Sequence, residues 1–364
     1  MPFSPIDCRT LARCAGSWLR NEGPEGDVVV SCRVRFARNV QGHAFVTRIE
    51  AEDAERLSQE LRTALLDARL DGETRWVAME EAPPVLRLLL LERNLISRDL
   101  LPRDAGSTAP GRAVAFGESE TVSVMVNEED HVRLQAMAAG FDLDLAWQRA
   151  ENLDRYLEER VDYATSDRLG YLTGCPTNVG TGLRASVMLH LPALGLVRTE
   201  LEKVFVSAQR TGLAVRGMHG EGSRAAGDLY QISNQITLGR TESDLIDDLR
   251  ALVPEIVRFE RRMRAALVNR LGTALEDRVA KSFGMLRTSR AMPTDDALGH
   301  ISNVRLGVHT GLFDGTRLET LNELALHVQR GHIQVLTSAG EELEILDTSE
   351  RDKRRASYLR QRLS

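Results

Sequence analysis

The chain has 364 residues, a formal net charge of −6, and 42% hydrophobic against 27% charged residues, a globular composition long enough for two or three compact units. No run of about 18 apolar residues occurs, which excludes a membrane-spanning helix. The acidic balance argues against a nucleic-acid surface as the main function.

The N-terminal stretch MPFSPIDCRTLARC lacks the basic start and apolar run of a secretion signal, so cytoplasmic residence is expected. Residues 8–20 read as a short amphipathic helix with Leu11, Ala15, Trp18 and Leu19 to one side, ended by the turn-rich NEGPEGD. In VVVSCRVRFARNV, Val30, Cys32, Val34 and Phe36 alternate with Ser31, Arg33 and Arg35. That period of two describes a strand with its apolar set on one face and two arginines on the other. Segments 51–70 and 84–95 are leucine-rich at helical spacing. Residues 113–137 read as strands, with Val122, Val124 and Val126 alternating with polar residues, and the alternation resumes after a turn at Glu129, His131, Arg133 and Gln135.

Helical patterns return at 141–162 and 199–212, and RASVMLHL (184–191) alternates again. LAVRGMHGEGS (213–223) reads as a strand entering a glycine-rich loop, and LYQISNQITL (229–238) as another strand. Beyond Thr241 the pattern is helical, punctuated at Pro254, Gly272, Gly284, Pro293 and Gly331. Strands and helices do not alternate regularly, which disfavours a doubly wound parallel fold. The expected class is α+β: an antiparallel sheet flanked by helices over 1–250, then an all-helical domain over 251–364.

The four cysteines, Cys8, Cys14, Cys32 and Cys175, show no CxxC pair and no metal-ligand spacing, so reduced thiols are expected and no protein-held metal site. Lysine occurs only at Lys203, Lys281 and Lys353, so arginine abundance by itself reflects composition. Placement is more telling. Arg33, Arg35, Arg133, Arg184 and Arg216 each sit on a polar strand face or beside glycines. Dispersed, they are ordinary solvated arginines. Converging, five guanidiniums would repel unless a polyanion such as a nucleoside triphosphate lay among them, which the arginine fork matches bidentately. Neither GxxxxGK[ST] nor the HRD and DFG pair of protein kinases occurs, so a nucleotide here would be clamped by arginine.

NEED (127–130) is either a solvated hairpin turn or, with Glu221 after the glycines of RGMHGEG, one of two carboxylates beside an arginine-lined phosphate site, suited to a cationic phosphoryl acceptor. In GCPTNVGTGLR (174–184), Cys175 is either a small packed residue or a thiolate favoured by neighbouring cations.

SCRVRFARN, NEEDHVR, CPTNVGTGLRASV and RGMHGEG, in this order, closely resemble the ATP:guanidino phosphotransferases, or phosphagen kinases, over about residues 25–250. Only 30 residues precede Ser31, where that family usually carries a helical domain, and about 110 residues follow the catalytic region. This layout resembles the bacterial protein-arginine kinase branch, as does RDKRRA (351–356), which matches the RDxxRA motif of a phosphoarginine pocket.

The resemblance implies ATP with Mg²⁺, and Arg33, Arg35, Arg133, Arg184 and Arg216 on the phosphates, with Ser31, Ser186, Gly217 and Gly220 completing the nucleotide set. It implies Glu129 as catalytic base, Glu221 as the second carboxylate on the guanidinium, and Cys175 against the same group. Arg351, Asp352, Arg355 and Ala356 would form an allosteric phosphoarginine pocket. Asn94 stands where the family usually has a nucleotide-contacting histidine, and Cys32 where a second Ser or Thr is commoner. The implied activity is transfer of the γ-phosphate to arginine side chains of proteins, marking them for regulated proteolysis in a stress response. Exposed arginines of proteins would be the substrates, an activator protein and a Clp-type protease the partners, and the form a homodimer, with no nucleic acid or membrane involved. The alternatives are a small-molecule guanidino kinase and a non-catalytic phosphoarginine-binding adaptor.

Overall fold

The computed structural model describes residues 6–19, 22–101, 109–217, 225–338 and 345–364. In chain order the strands are β1 (Val29–Arg38), β2 (Arg75–Ala78), β3 (Ala113–Phe116), β4 (Val122–Val126), β5 (Val132–Ala139), β6 (Thr165–Ser166), β7 (Gly170–Tyr171), β8 (Leu183–His190), β9 (Leu213–Gly217) and β10 (Leu229–Asn234). Among the described residues, β6 and β7 form a small hairpin, and the other eight strands form one sheet in the order β2-β3-β4-β5-β1-β8-β10-β9. Every pairing is antiparallel. The α+β class expected from patterning is the architecture found.

Strand alternation divides the sheet into two unlike faces. Cys32, Val34 and Phe36 of β1 point to the back with Leu134, Ala136, Ala185 and Val187, and there they join the main core. Helices α2 (Ala51–Asp67), α4 (Leu143–Glu158) and the first half of α7 (Glu242–Leu271) supply Leu57, Leu61, Ala146, Ala150, Leu249 and Val253 to that core. Cys32 is fully buried there, as its phase in the strand predicts. The front face carries the polar set. Over β2 to β4 it is roofed by α1 (Cys8–Arg13), α3 (Pro84–Glu92) and α11 (Arg330–Thr337), which pack on Val114, Phe116 and Met125.

The remaining helices are α5 (Pro192–Leu196), α6 (Arg198–Arg210), α8 (Thr273–Thr288), α9 (Thr294–His309), α10 (Leu318–His327) and α12 (Thr348–Arg362). The last four of these build a second core around Leu286, Ile301, Leu321, Leu324 and Leu359.

Two expectations are revised. The helix anticipated over 8–20 is α1 followed by a separate 3₁₀ turn at Ser17–Leu19. The chain breaks because Cys14 is extended and Gly16 lies so close to the sheet that a Cβ there would meet Trp18 Nε1 at 2.8 Å and Glu120 Oε2 at 2.9 Å. Pro254 does not end a helix. Thirty-residue α7, started by a capping box of Thr241 and Asp244, runs through it and across residue 250. Burial of Leu249, Leu252, Val253, Ile256 and Val257 on either side of the proline outweighs its cost of about 3 kcal/mol.

Candidate active site

Register brings the five arginines to the open front face. Arg35 stands opposite Arg184 and Arg33 opposite Ser186 across β1 and β8. On the other side Arg35 faces Gln135, two residues from Arg133. Arg216 of β9 opposes Gln231 of β10, which opposes Met188 of β8. Directly paired residues share a face, so Arg33, Arg35, Arg133, Arg184 and Arg216 project from one side, together with Ser31 and Ser186. Gly217 ends β9 opposite Tyr230. Glu221 and Gly220 lie outside the described residues.

Electrostatics follow from this crowding. Burial, then Arg133 and Arg184, push the Arg33 guanidinium down to about 10. Arg35 is driven well below its ordinary value by burial and by Arg33, Arg133 and Arg184. Burial and Arg216 lower Arg184. The Nε atoms of Arg35 and Arg184 are buried without a hydrogen-bond partner among the described residues. Packed cations with donors unspent are the arrangement an incoming polyphosphate would satisfy.

Arg133 is the exception, because Glu128 pairs with it at 2.6 Å and raises it. Burial pushes the Glu128 carboxyl up, but Arg133 and Ser97 outweigh it and hold Glu128 ionised. Its other oxygen accepts the Glu129 N–H at 2.8 Å. Glu128 is therefore buried and committed, whereas Glu129 is exposed. Partial desolvation of its carboxyl group by the turn, then the charges of Glu128 and Asp130, raise Glu129 above its usual value, as suits a proton acceptor.

The turn that presents Glu129 is fixed from beneath. Asp130 accepts from Asn39 Nδ2 at 2.6 Å and from the Gly174 N–H. The His131 N–H donates to Asn39 Oδ1 at 3.0 Å, its Nδ1 accepts from the Val40 N–H at 3.0 Å, and its Nε2 donates to the Ala44 carbonyl at 2.9 Å. Gly174 comes so near that a Cβ would lie 2.8 Å from the Glu129 carbonyl oxygen. This contact sets Cys175 next to the Glu129 turn, half-exposed, with Sγ 3.1 Å from Thr177 Oγ1. Arg184 is coupled electrostatically to both Cys175 and Glu129, so the glycine loop, the NEED turn and the arginine row meet there. Thr237 Oγ1 donates to the Thr177 and Val179 carbonyls at 3.0 and 2.6 Å and anchors the loop. Gly182, at φ 64°, lets it turn back into β8.

At the other end of the arginine row, Trp18, Ser31, Arg33, Asn94, Met137 and Ser186 line a cleft. Trp18 lines this cleft and Ser97, Asn39 and Glu128 brace the turn and Arg133, and sequence reasoning singled out none of the four for such a part. In α12, Arg355 is buried, with Nε on the Val328 carbonyl at 2.7 Å and a guanidinium nitrogen on the Met292 carbonyl at 2.6 Å and on Asp352. Arg351 donates to the Leu346 carbonyl and to Thr348 Oγ1, the latter at 3.1 Å. Ala356 packs in the helical core. Arg351 and Arg355, the fixed arginines of the RDxxRA pattern, thus already hold internal partners, and Asp352 is the least buried of its three fixed charges.

Residues 56–263 match the ATP:guanido phosphotransferase C-terminal catalytic domain, and residues 272–364 match the protein-arginine kinase McsB C-terminal domain. The protein-arginine kinase of Bacillus subtilis is 41% identical over 95% of this chain and 93% of its own length. That of Geobacillus stearothermophilus is 40% identical over 95% of this chain and 93% of its own. Among solved structures, a lombricine kinase aligns with TM-score 0.57 at 25% identity over 73% of this chain and 72% of its own. The duplicated taurocyamine kinase of Schistosoma mansoni aligns with TM-score 0.59 at 28% identity over 71% of this chain, which spans 36% of that longer chain. Matched by the catalytic and the C-terminal domain in turn, and by relatives along nearly its whole length, the chain belongs to the ATP:guanido phosphotransferase family, in its protein-arginine kinase group.

Proposed function

We propose that this chain transfers the γ-phosphate of ATP to arginine side chains of proteins. The carrying observation is the row of five arginines on one sheet face, in which Arg33, Arg35 and Arg184 are depressed by burial and by neighbouring guanidiniums and Arg35 and Arg184 keep buried donors unspent, ending at an exposed carboxylate of raised pKa. Arg33, Arg35, Arg133, Arg184 and Arg216 hold the phosphates, and Ser31, Ser186, Gly217 and Gly220 complete the nucleotide site. Unspent donors and an excess of positive charge fit a polyphosphate. Mg²⁺ fits as an ion that enters with the phosphates and neutralises part of their charge.

A guanidinium has a pKa above ~12 and is a poor nucleophile while protonated. Glu129 accepts its hydrogen bonds, orients one terminal nitrogen towards the γ-phosphorus and takes the proton as the P–N bond forms. The bond from γ-phosphorus to the bridging oxygen breaks, and ADP leaves with that electron pair. Glu221 steadies the other edge of the guanidinium, and Cys175 lies against it. Glu128 keeps Arg133 in place for the charge that develops on the transferring group.

The division into a catalytic unit over 1–250 and a helical unit over 251–364, the tail motif as a phosphoarginine pocket, a homodimer, a protein activator, delivery to a Clp-type protease and a cytoplasmic stress-response setting complete the reading. Incubation with ATP, Mg²⁺ and an unfolded arginine-bearing protein, followed by mass spectrometry without acid, should place phosphate on arginine. Phosphate on free arginine or creatine at an equal rate would favour a small-molecule kinase, and none on any guanidine would favour an adaptor.

A further inference from the structure

The helical domain reaches the catalytic face through one buried polar chain that the proposed reaction does not use. Glu92, the last residue of α3, accepts the Gly331 N–H at 2.7 Å and the His332 N–H at 3.1 Å from the start of α11. Its Oε2 also takes His332 Nδ1 at 2.7 Å. His332 Nε2 lies 3.2 Å from a guanidinium nitrogen of Arg93, and Arg93 grips Glu120 through Nε at 2.9 Å and Nη2 at 2.6 Å. Arg93, Glu120 and His332 are all at least 95% buried. Since arginine can only donate, His332 accepts from Arg93 at Nε2 and donates to Glu92 from Nδ1, a neutral tautomer. Burial lowers its pKa and keeps it in that form.

Arg93 and Glu120 each lead from this chain to the cleft. Asn94, next to Arg93, is held at φ 58° and lines the cleft, and its carbonyl accepts from Gln135 Nε2. Gln135 in turn stands opposite Arg35. Glu120, at φ 59°, reaches Gly16, whose other near neighbour is the indole of Trp18, on the facing wall. Left-handed backbone at two non-glycine residues is costly and persists only where surroundings hold it. Two of those surroundings are the ion pair of Glu120 with Arg93, the neighbour of Asn94, and the helix behind it.

We propose that His332, through Glu92, Arg93 and Glu120, is a positioning residue for the nucleotide cleft, so that docking of α11 on α3 sets the spacing of Asn94 and Trp18. The role rests on the reading of that cleft as the nucleotide site. It explains why Gly331 is a glycine: a Cβ there would lie 2.9 Å from Leu88 Cβ and force α11 off α3.

The test measures KM for ATP, kcat and melting temperature in the full chain. His332→Leu should raise KM about tenfold with kcat within about twofold, the pattern of lost binding geometry rather than lost chemistry. His332→Gln offers one amide donor to Glu92 and one carbonyl to Arg93, and should restore KM to within about twofold. Gly331→Ala, which leaves every charge in place, should move KM in the same direction as His332→Leu. Unchanged KM in both His332→Leu and Gly331→Ala, or no rescue by His332→Gln, would reduce the network to structure and overturn the role. Arg33→Ala is the control: if it binds ATP as tightly as the parent protein, the cleft reading itself falls and takes the positioning role with it.

Discussion

Replacing Arg35 with methionine should stabilise the ligand-free protein while destroying its activity. Arg35 is half-buried opposite Arg184 and two residues from Arg33, with its Nε unpartnered. Two like charges about 4 Å apart at an effective dielectric near 20 repel by roughly 4 kcal/mol. Exchange of buried charges for well-packed apolar groups commonly gains about 1 to 4 kcal/mol. Methionine keeps much of the packing volume, so a net gain of about 1 to 2 kcal/mol is expected, a rise of roughly 3 to 6 °C in melting temperature. Loss of one preorganised donor to the transferring phosphoryl group should cost about 10²- to 10³-fold in kcat. Scanning calorimetry with and without ATP reads both halves, because the ATP-dependent rise of the parent protein should shrink in Arg35→Met. A melting temperature that falls by the same few degrees, with ATP still stabilising fully, would refute the idea of a strained cationic face awaiting its anion.

Three further outcomes follow from the geometry. Glu129 must be ionised to accept a proton, and its pKa is raised by partial desolvation, Glu128 and Asp130; kcat/KM should therefore fall on the acid side through a pKa above the ordinary glutamate value. Glu128→Gln should shift that limb to lower pH, since it removes a like charge and frees Arg133. Gly174→Ala, which forces a methyl group towards the Glu129 carbonyl, should lower kcat at least about tenfold with little change in global melting, as strain confined to a surface loop does. Asp352→Asn should abolish any response to added phosphoarginine while leaving ATP turnover, measured by ADP release, within about twofold; equal loss of both would make the tail motif structural.

Period-two alternation in SCRVRFAR and RASVMLHL made the two-faced sheet legible, because each phase of a strand commits its residues to one side. The same alternation put Arg33, Arg35 and Arg184 in the polar phase of their strands but left open whether they converge, and Glu129 and Cys175 were singled out by the family motifs and not by periodicity. What stayed hidden is long-range. Ser97 on Glu128, Gly174 on Asp130 and Glu92 on His332 join residues 31, 44 and 240 apart in the chain. No local period encodes such a contact, and either partner alone reads as a solvated polar residue. Trp18 was misplaced for another reason: its spacing suits a helix, but close packing at Gly16 breaks the helix and turns the indole into the cleft wall. Pro254 misled because propensity is weaker than a buried apolar stripe on both sides.

The most direct test of the account is Glu129→Gln, an isosteric change that keeps the hydrogen-bond geometry and removes the proton acceptor. Single-turnover transfer from ATP to arginine of an unfolded protein should fall by at least about 10²-fold, while ATP affinity stays within about twofold of the parent protein. Phosphoarginine formed at the parental rate would mean that the proton leaves by another route and that the carboxylate at the end of the arginine row is not the base.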